Sequence, residues 1–218
     1  MGDAAFLFGE PTHEYSLEGF GLTEELIHDC IRPAWTHSRG RTSLAAPSTP
    51  GSDLYHDITE NLAVALTNHG WHRRPVNGQQ RTIHPDGLIA IAVSSAVNVA
   101  NSDPKKHPRT RPKGPATLDD LDVALIPGQQ AFDLEEFRGN EDFEQMLQEA
   151  PLWFLLHEEV EEEMRISLAR PAQPDKQGSI VGFSREIPIE SLRLDTDLDI
   201  FRNDDEDGGI DFDVPSIQ

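Results

Sequence analysis

The stretch that most constrains the fold is GLIAIAVSSAVNVA, residues 87–100, because apolar side chains occupy both of its alternating sets of positions. A strand with one apolar face packs on one layer, whereas a strand that is apolar on both faces requires cover on both. Leu, Ile, Val and Phe make up about a quarter of the 218 residues, which is enough to supply that cover. We therefore predict a central strand at residues 87–100, buried on each side.

The amino-acid composition changes abruptly after this strand, from apolar residues to lysine, arginine and proline in DPKKHPRTRPKGP, residues 103–115. Four prolines in this basic segment exclude a helix or an inner strand and predict an extended loop at the surface. Burying its five cations without partners would be too costly, so we expect them to contact carboxylates or phosphates outside the segment. The candidate binding residues are Lys105, Lys106, Arg109, Arg111 and Lys113.

The basic segment belongs to an acidic protein, whose formal net charge is -21. Residues 1–118 are almost neutral, while residues 119–218 contain 7 basic and 27 acidic side chains. Adaptation to high salt would spread acidic residues over the whole surface. The uneven distribution favours a local acidic surface or tail with its own role.

Apolar periodicity and capping residues predict several helices. Residues 36–52 are rich in Ser, Thr, Pro and Gly, which is typical of a loop. The run at residues 151–164 fits a buried strand or a buried helix, and its glutamates favour the helix. The predicted helices cover residues 22–32, 53–70, 116–126, 140–150 and 151–164.

Strand patterns surround these helices. Two short strands flank Asn77–Gly78, a dipeptide typical of a two-residue hairpin turn, and further strands are predicted at residues 164–171 and 179–189. Residues 192–200 alternate strictly and predict a half-buried edge strand. Strands and helices mix without a regular rhythm, so we predict an α+β fold. It would be a single domain, residues 1–202, with a mixed or antiparallel sheet packed by several helices, followed by an acidic and mobile tail at residues 203–218.

Metal and cofactor sites have little support in the sequence, and we predict no cofactor. The single cysteine, Cys30, excludes an internal disulfide and cysteine-rich zinc sites. His157 and Glu161 lie four residues apart, as two ligands on one helical face would, but no third ligand is evident. A weak calcium-loop pattern covers residues 203–211, although Val214 stands where the pattern requires a bidentate Glu.

Catalytic signals are also weak. The chain has no nucleophile-elbow, P-loop or dinucleotide-binding motif, and we name no catalytic residue. A His/Arg cluster at residues 69–84 is the exception, because such side chains suit a phosphate ester and acid-base chemistry. The cluster consists of His69, His72, Arg73, Arg74, Arg81 and His84.

These observations predict a non-catalytic interaction or adaptor subunit of a larger intracellular assembly, one that acts on nucleic acid in one version of the hypothesis. We expect a protein partner, and nucleic acid contacted through residues 103–115 or through that partner. No apolar run approaches the roughly 18 residues of a membrane span, and the acidic start lacks the basic region of an export signal, so we expect a cytoplasmic protein.

Two alternatives from other classes remain. One is an acidic DNA mimic that inhibits a DNA-binding enzyme, suggested by the glutamates between residues 158 and 163. The other is a phosphate-ester hydrolase that uses the His/Arg cluster at residues 69–84. The first requires the acids to lie on one surface, and the second requires the histidines and arginines to converge.

Overall fold

The computed structural model describes residues 16–76, 78–103, 105–114, 117–118, 121 and 140–193. Three α-helices and a seven-stranded mixed sheet make up these residues, so the predicted α+β class is confirmed. The predicted tail at residues 203–218 lies outside the described residues. The helices are α1 (Glu24–Arg39), α2 (Thr49–Thr67) and α3 (Asn140–Glu149). The strands are β1 (His72–Val76), β2 (Gln79–Ile83), β3 (Ala90–Val97), β4 (Arg109–Thr110), β5 (Leu152–Val160), β6 (Glu163–Pro174) and β7 (Ile180–Arg193).

The strand order is β1-β2-β3-β5-β6-β7, and β4 pairs with the end of β3. Strands β3 and β5 are parallel, and the other neighbours are antiparallel. The predicted hairpin forms between β1 and β2, where Gly78 has a φ of 80° that glycine adopts without steric cost. Strand β3 lies in the middle of the sheet and its first five residues are buried, which confirms the central strand.

Helices α1 and α2 cover one face of the sheet. Helix α1 begins after Thr23, whose Oγ1 accepts a hydrogen bond from the Leu26 N–H at 3.1 Å. Its apolar side places Trp35, fully buried, in the same core as Ile91 and Trp153 of the sheet. This core holds the largest apolar cluster of the described residues.

The loop predicted at residues 36–52 is shorter in the structure. Helix α1 continues through Pro33 to Arg39, because the burial of Ala34 and Trp35 compensates for the backbone hydrogen bond that a proline cannot donate. Helix α2 begins at Thr49 rather than Asp53, since Pro50 stands in the first turn, where no backbone donor is needed.

The helix predicted at residues 151–164 is wrong. The chain forms strand β5, turns at residues 161–162 and returns as β6. Residues 152–157 are all buried, as expected for a strand between two neighbours with cover on both faces. Tertiary pairing therefore outweighs the helical preference of the glutamates, and Glu161 lies in the turn with a φ of 58°. The helix predicted at residues 116–126 and the edge strand at 192–200 lie mostly outside the described residues.

The second face of the sheet is covered over β2 and the start of β3 by helix α3, and beyond that by the basic segment and the β6–β7 hairpin. Strand β4 pairs with β3 through Ala96 and Thr110, and the chain then forms a bridge from Pro112 to Ser179 at the start of β7. Pairing thus runs from β3 through β5, β6 and β7 and returns to β3 through β4, as in a partly closed barrel. A second core lies inside, formed by Ala92, Ala96, Val99, Leu121, Leu152, Phe154, Leu156, Ala169, Ile180 and Phe183.

Candidate functional site

The backbone of the basic segment is fixed to the barrel. The Thr110 side chain is buried, and its Oγ1 accepts the Ile180 N–H at 3.0 Å. The Lys113 N–H donates to the Gly178 carbonyl at 2.9 Å, and Pro108 is buried. The segment is extended and mostly at the surface, as predicted, but it is also the element that closes the second core.

Alternation along this extended segment determines which cations face solvent. Thr110 points inward, so Arg109 and Arg111 point outward, and both are exposed. Arg109 Nη2 donates to Asp175 Oδ2 at 2.7 Å, and the other carboxylate oxygen of Asp175 accepts the N–H groups of Gln177 and Ser179 at 2.9 Å. Arg109 therefore has an internal carboxylate partner from the acidic half of the chain.

Three other cations of the segment have no such partner. Lys105, Lys106 and Arg111 are exposed and form no ion pair with any residue that the structure describes. The backbone that carries the two lysines is held by an Asp103 turn, in which Asp103 Oδ1 accepts the Lys105 N–H at 3.0 Å. A structured backbone thus presents three cations to the outside.

Lys113 departs from the expectation of an exposed binding cation. Its Nζ donates to Ser94 Oγ at 2.6 Å and lies 5.4 Å from the centre of the Phe154 ring, above the second core. Burial lowers the pKa of the Lys113 amine to about 8. Its contacts are a hydroxyl and an aromatic ring rather than a carboxylate, so this lysine faces the second core and is not one of the outward-facing cations.

An open cleft of about 450 Å³ lies beside the exposed arginines, between the end of β3, strand β4 and the β6–β7 turn. Its apolar lining comes from Val97, which is 51% exposed, and from Pro112, because the Ala96 side chain points into the second core. Arg109 and Arg111 line the cleft together with the hydroxyl-bearing Ser95 and the amide-bearing Gln177. The cleft combines positive charge with an apolar floor, which suits an anionic ligand that also has aliphatic groups.

The histidines of the cluster at residues 69–84 have separate contacts. The His69 Nδ1 lies 2.9 Å from the Ala65 carbonyl at the end of α2, and His72 packs edge-on against Phe143 of α3 at 5.1 Å. The His84 ring packs against Trp71 at 4.9 Å, and its Nδ1 accepts the Asp86 N–H at 3.1 Å. Burial lowers the pKa of His84, and the Asp86 carboxylate opposes that shift. Each ring is thus occupied in its own structural contact.

The arginines of the cluster do not converge either. Pairing with β2 sets Arg74 opposite Arg81, so these two arginines are neighbours on one face, which they share with His72. Arg73 lies opposite Thr82 and points to the other face, so the three arginines do not form one site. The Arg81 side chain is buried and its Nε donates to Gln79 Oε1 at 3.3 Å. The described contacts indicate a structural role for the cluster.

The glutamates between residues 158 and 163 do not form one row. Glu158 Oε2 accepts the Val99 N–H at 2.9 Å, whereas Glu159 points to the opposite face and lies 3.9 Å from Arg39. Glu161 lies in the turn, and the Glu163 Oε2 atom lies 3.7 Å from the Nε atom of Arg165. These acids therefore serve different local contacts.

Glu158 of β5 and Glu186 of β7 hold the loop that leaves β3, a role that the sequence analysis missed. Asn98 and Ala100 have φ values of 59° and 45°, which are uncommon for residues other than glycine. This conformation brings the N–H groups of residues 99 and 100 to the carboxylates of Glu158 and Glu186, at 2.9 and 3.3 Å. Consecutive backbone donors of this kind bind anions, and here the protein supplies the anions itself.

His157 and Glu161, whose spacing would suit two metal ligands on a helix, do not share a helical face, because they belong to a strand and a turn. His157 is buried, and its Nε2 has no hydrogen-bond partner among the described residues. Burial, with a smaller effect from the Lys113 charge, lowers the pKa of His157 to about 4. No group of three or more His, Cys, Asp or Glu side chains in the described ranges could hold a metal ion, and the calcium pattern at residues 203–211 lies outside them.

Comparisons with protein-family models, with curated proteins and with solved structures found no match for this chain. Among the helices that the structure describes, none is long and apolar enough to cross a membrane. The function proposed below therefore rests on the chemistry of the basic segment and its surroundings.

Proposed function

We propose that this protein is a non-catalytic interaction subunit that binds an anionic surface of a partner through its basic segment. The observation that carries the proposal is the set of three exposed cations, Lys105, Lys106 and Arg111, which form no ion pair with the described residues. They project from a backbone anchored by Thr110 and Lys113. A fixed backbone lowers the entropy that binding would otherwise cost.

Electrostatics supports an external partner for these three residues. Exposed cations contribute little to folding stability, so their clustering is not explained by the fold. Like charges close together repel each other, and an anionic partner would relieve that repulsion. Arg109 and Lys113 already have internal contacts, so the five candidate residues divide into two structural and three outward-facing ones.

The partner that we propose is a protein in a larger cytoplasmic assembly, with nucleic acid reached through the same cations or through that partner. The two alternatives from the sequence have less support. A phosphate-ester hydrolase would need the cluster at residues 69–84 to converge, and a DNA mimic would need the glutamates at residues 158–163 in one row. The described contacts separate the three histidines, although Arg74 and Arg81 are neighbours, and they place Glu158 and Glu159 on opposite faces.

The test compares two triple variants with the same change in net charge. K105Q/K106Q/R111Q removes the outward-facing cations, while R32Q/R73Q/R193Q removes three exposed cations from other parts of the surface. Each protein would be purified from its native source at low and high salt, and the size of the eluting species would be measured. We expect the wild type and the control variant to co-elute with a partner at low salt, and the first variant to elute alone.

Thermal melting of all three proteins completes this experiment. We expect similar melting temperatures, because exposed charges contribute little to stability. Equal co-elution of the two triple variants would overturn the proposal. A large loss of stability in K105Q/K106Q/R111Q alone would do the same, since it would show that these cations have internal partners.

A further inference from the structure

We propose, on the basis of the interaction surface proposed above, that its cleft binds an acidic peptide segment of a protein partner, in which carboxylates flank an aliphatic side chain. Nucleic acid is the competing occupant for a basic surface. The geometry and the chemistry of the cleft both favour the peptide.

The spacing of the arginines matches an extended peptide. Arg109 and Arg111 lie two residues apart on one face of an extended backbone, which separates them by about 7 Å. Carboxylates at alternate positions of an extended peptide have the same separation. Arg109 already binds one carboxylate, that of Asp175, at 2.7 Å. Asp175 thus already occupies the position beside Arg109. Arg111 lines the same cleft and has no carboxylate among the described residues, so it is the arginine that is available to a peptide carboxylate.

The floor of the cleft suits an aliphatic side chain. Val97 and Pro112 line it, and half of the Val97 surface is exposed although the residue ends a central strand. Covering this surface with a leucine or isoleucine side chain would remove apolar area from water on both partners. A sugar-phosphate backbone has no aliphatic side chain and would leave this apolar surface of the cleft exposed to water.

The cleft also lacks what single-stranded nucleic acid uses in sequence-independent binding. Bases stack on aromatic side chains, and none of the described residues that line the cleft is aromatic. Ser95 and Gln177 instead provide a hydroxyl and an amide at the edge, groups that can donate to and accept from a peptide backbone. Lys105 and Lys106 would add attraction at longer range for any anion.

Fluorescence anisotropy with three labelled probes tests the proposal on the full chain. The first probe is a peptide of about twelve residues in which Asp alternates with Leu and Ser, the second replaces each Leu with Ser, and the third is an oligothymidylate of similar charge. We expect the first probe to bind, the second to bind about tenfold more weakly, because a buried leucine contributes about 1.5–3 kcal/mol, and the third to bind most weakly.

Two variants identify the site. Arg111→Gln should weaken the first probe about tenfold through the loss of a charge-assisted hydrogen bond. Val97→Ser should weaken the first probe and leave the second unchanged, because the second probe has no aliphatic group for the floor. Both residues are exposed, and thermal melting would verify that both variants fold.

The outcomes separate this inference from the proposed function. Tighter binding of the oligothymidylate, with no effect of Val97→Ser, would overturn the peptide inference and leave an interaction subunit in place. Failure of the leucine-containing peptide to bind would also overturn it. The proposed function itself is tested by the two triple variants described above, through their co-elution with the partner and their thermal stability.

Discussion

At the scale of single residues, the buried amine of Lys113 is the most informative departure from expectation. Its pKa is lowered from 10.5 to about 8 by burial, so the unfolded chain binds more protons than the folded one between these values. Stability from this group is therefore greatest above pH 10.5 and falls as the pH drops to about 8. At neutral pH the fold retains a charged amine at a cost.

Lys113→Met should remove that cost. We expect the variant to be more stable than the wild type at pH 7.5 by about 1–3 kcal/mol, and the difference to vanish near pH 10.5. Urea denaturation at both pH values measures it, with Lys105→Met at an exposed position as the control. A variant less stable than the wild type at pH 7.5 would show that the contacts with Ser94 and Phe154 outweigh desolvation.

The buried ring of His157 titrates in the opposite part of the pH scale. Its pKa is lowered from 6.5 to about 4, chiefly by burial, so stability from this group is present above pH 6.5 and is lost as the pH falls towards 4. We expect the stability of His157→Leu, relative to the wild type, to rise as the pH drops through this window. Urea denaturation at pH 7 and pH 4.5 tests this, with His56→Leu at an exposed position for comparison. A pH-independent difference would contradict it.

At the scale of elements, the β6–β7 hairpin forms one wall of the cleft, and its irregular register depends on a glycine. A Cβ at Gly182 would lie 2.8 Å from the Cβ of Gln173 on the paired strand, closer than two such atoms approach. Gly182→Ala should cost on the order of 1–3 kcal/mol, because the strands must move apart.

Gly51 provides the matched comparison for this substitution. It lies in helix α2, and a Cβ there would meet no atom within 4 Å. Gly51→Ala should therefore stabilise the protein by about 0.5–1 kcal/mol through helix propensity. Urea denaturation measures the free energy of unfolding, which should fall for Gly182→Ala and rise for Gly51→Ala. An unchanged free energy for Gly182→Ala would mean that the hairpin relaxes without cost.

Elements with strong local signals could be predicted from the sequence, and elements defined by their neighbours could not. The β1–β2 hairpin follows from a turn dipeptide, and β3 follows from apolar residues on both faces. Strand β5 was mistaken for a helix because its burial depends on β3 and β6, which are distant in sequence. In the candidate site the cations were evident, but the contacts of Arg109 with Asp175 and of Lys113 with Ser94 depend on the closure of the barrel.

At the scale of the whole molecule, salt should affect folding and partner binding in opposite directions, because the net charge of -21 repels itself while the exposed cations attract a partner. Unlike charges at an interface attract, and at 0.1 M salt that attraction is largely screened beyond about 10 Å. Like charges within one chain repel and destabilise the compact state, and salt screens that repulsion as well. Folding and partner binding should therefore respond differently to the same change of solvent.

We expect the melting temperature to rise as NaCl is increased from about 0.02 to 0.5 M, because the acidic half of the chain is screened. Over the same range, co-elution with the partner should weaken, because the attraction of Lys105, Lys106 and Arg111 for an anion is screened. K105Q/K106Q/R111Q should keep the rise in melting temperature and lose the salt dependence of co-elution. A melting temperature that falls with salt would show that internal ion pairs, such as that of Arg109 with Asp175, outweigh repulsion in holding the fold together.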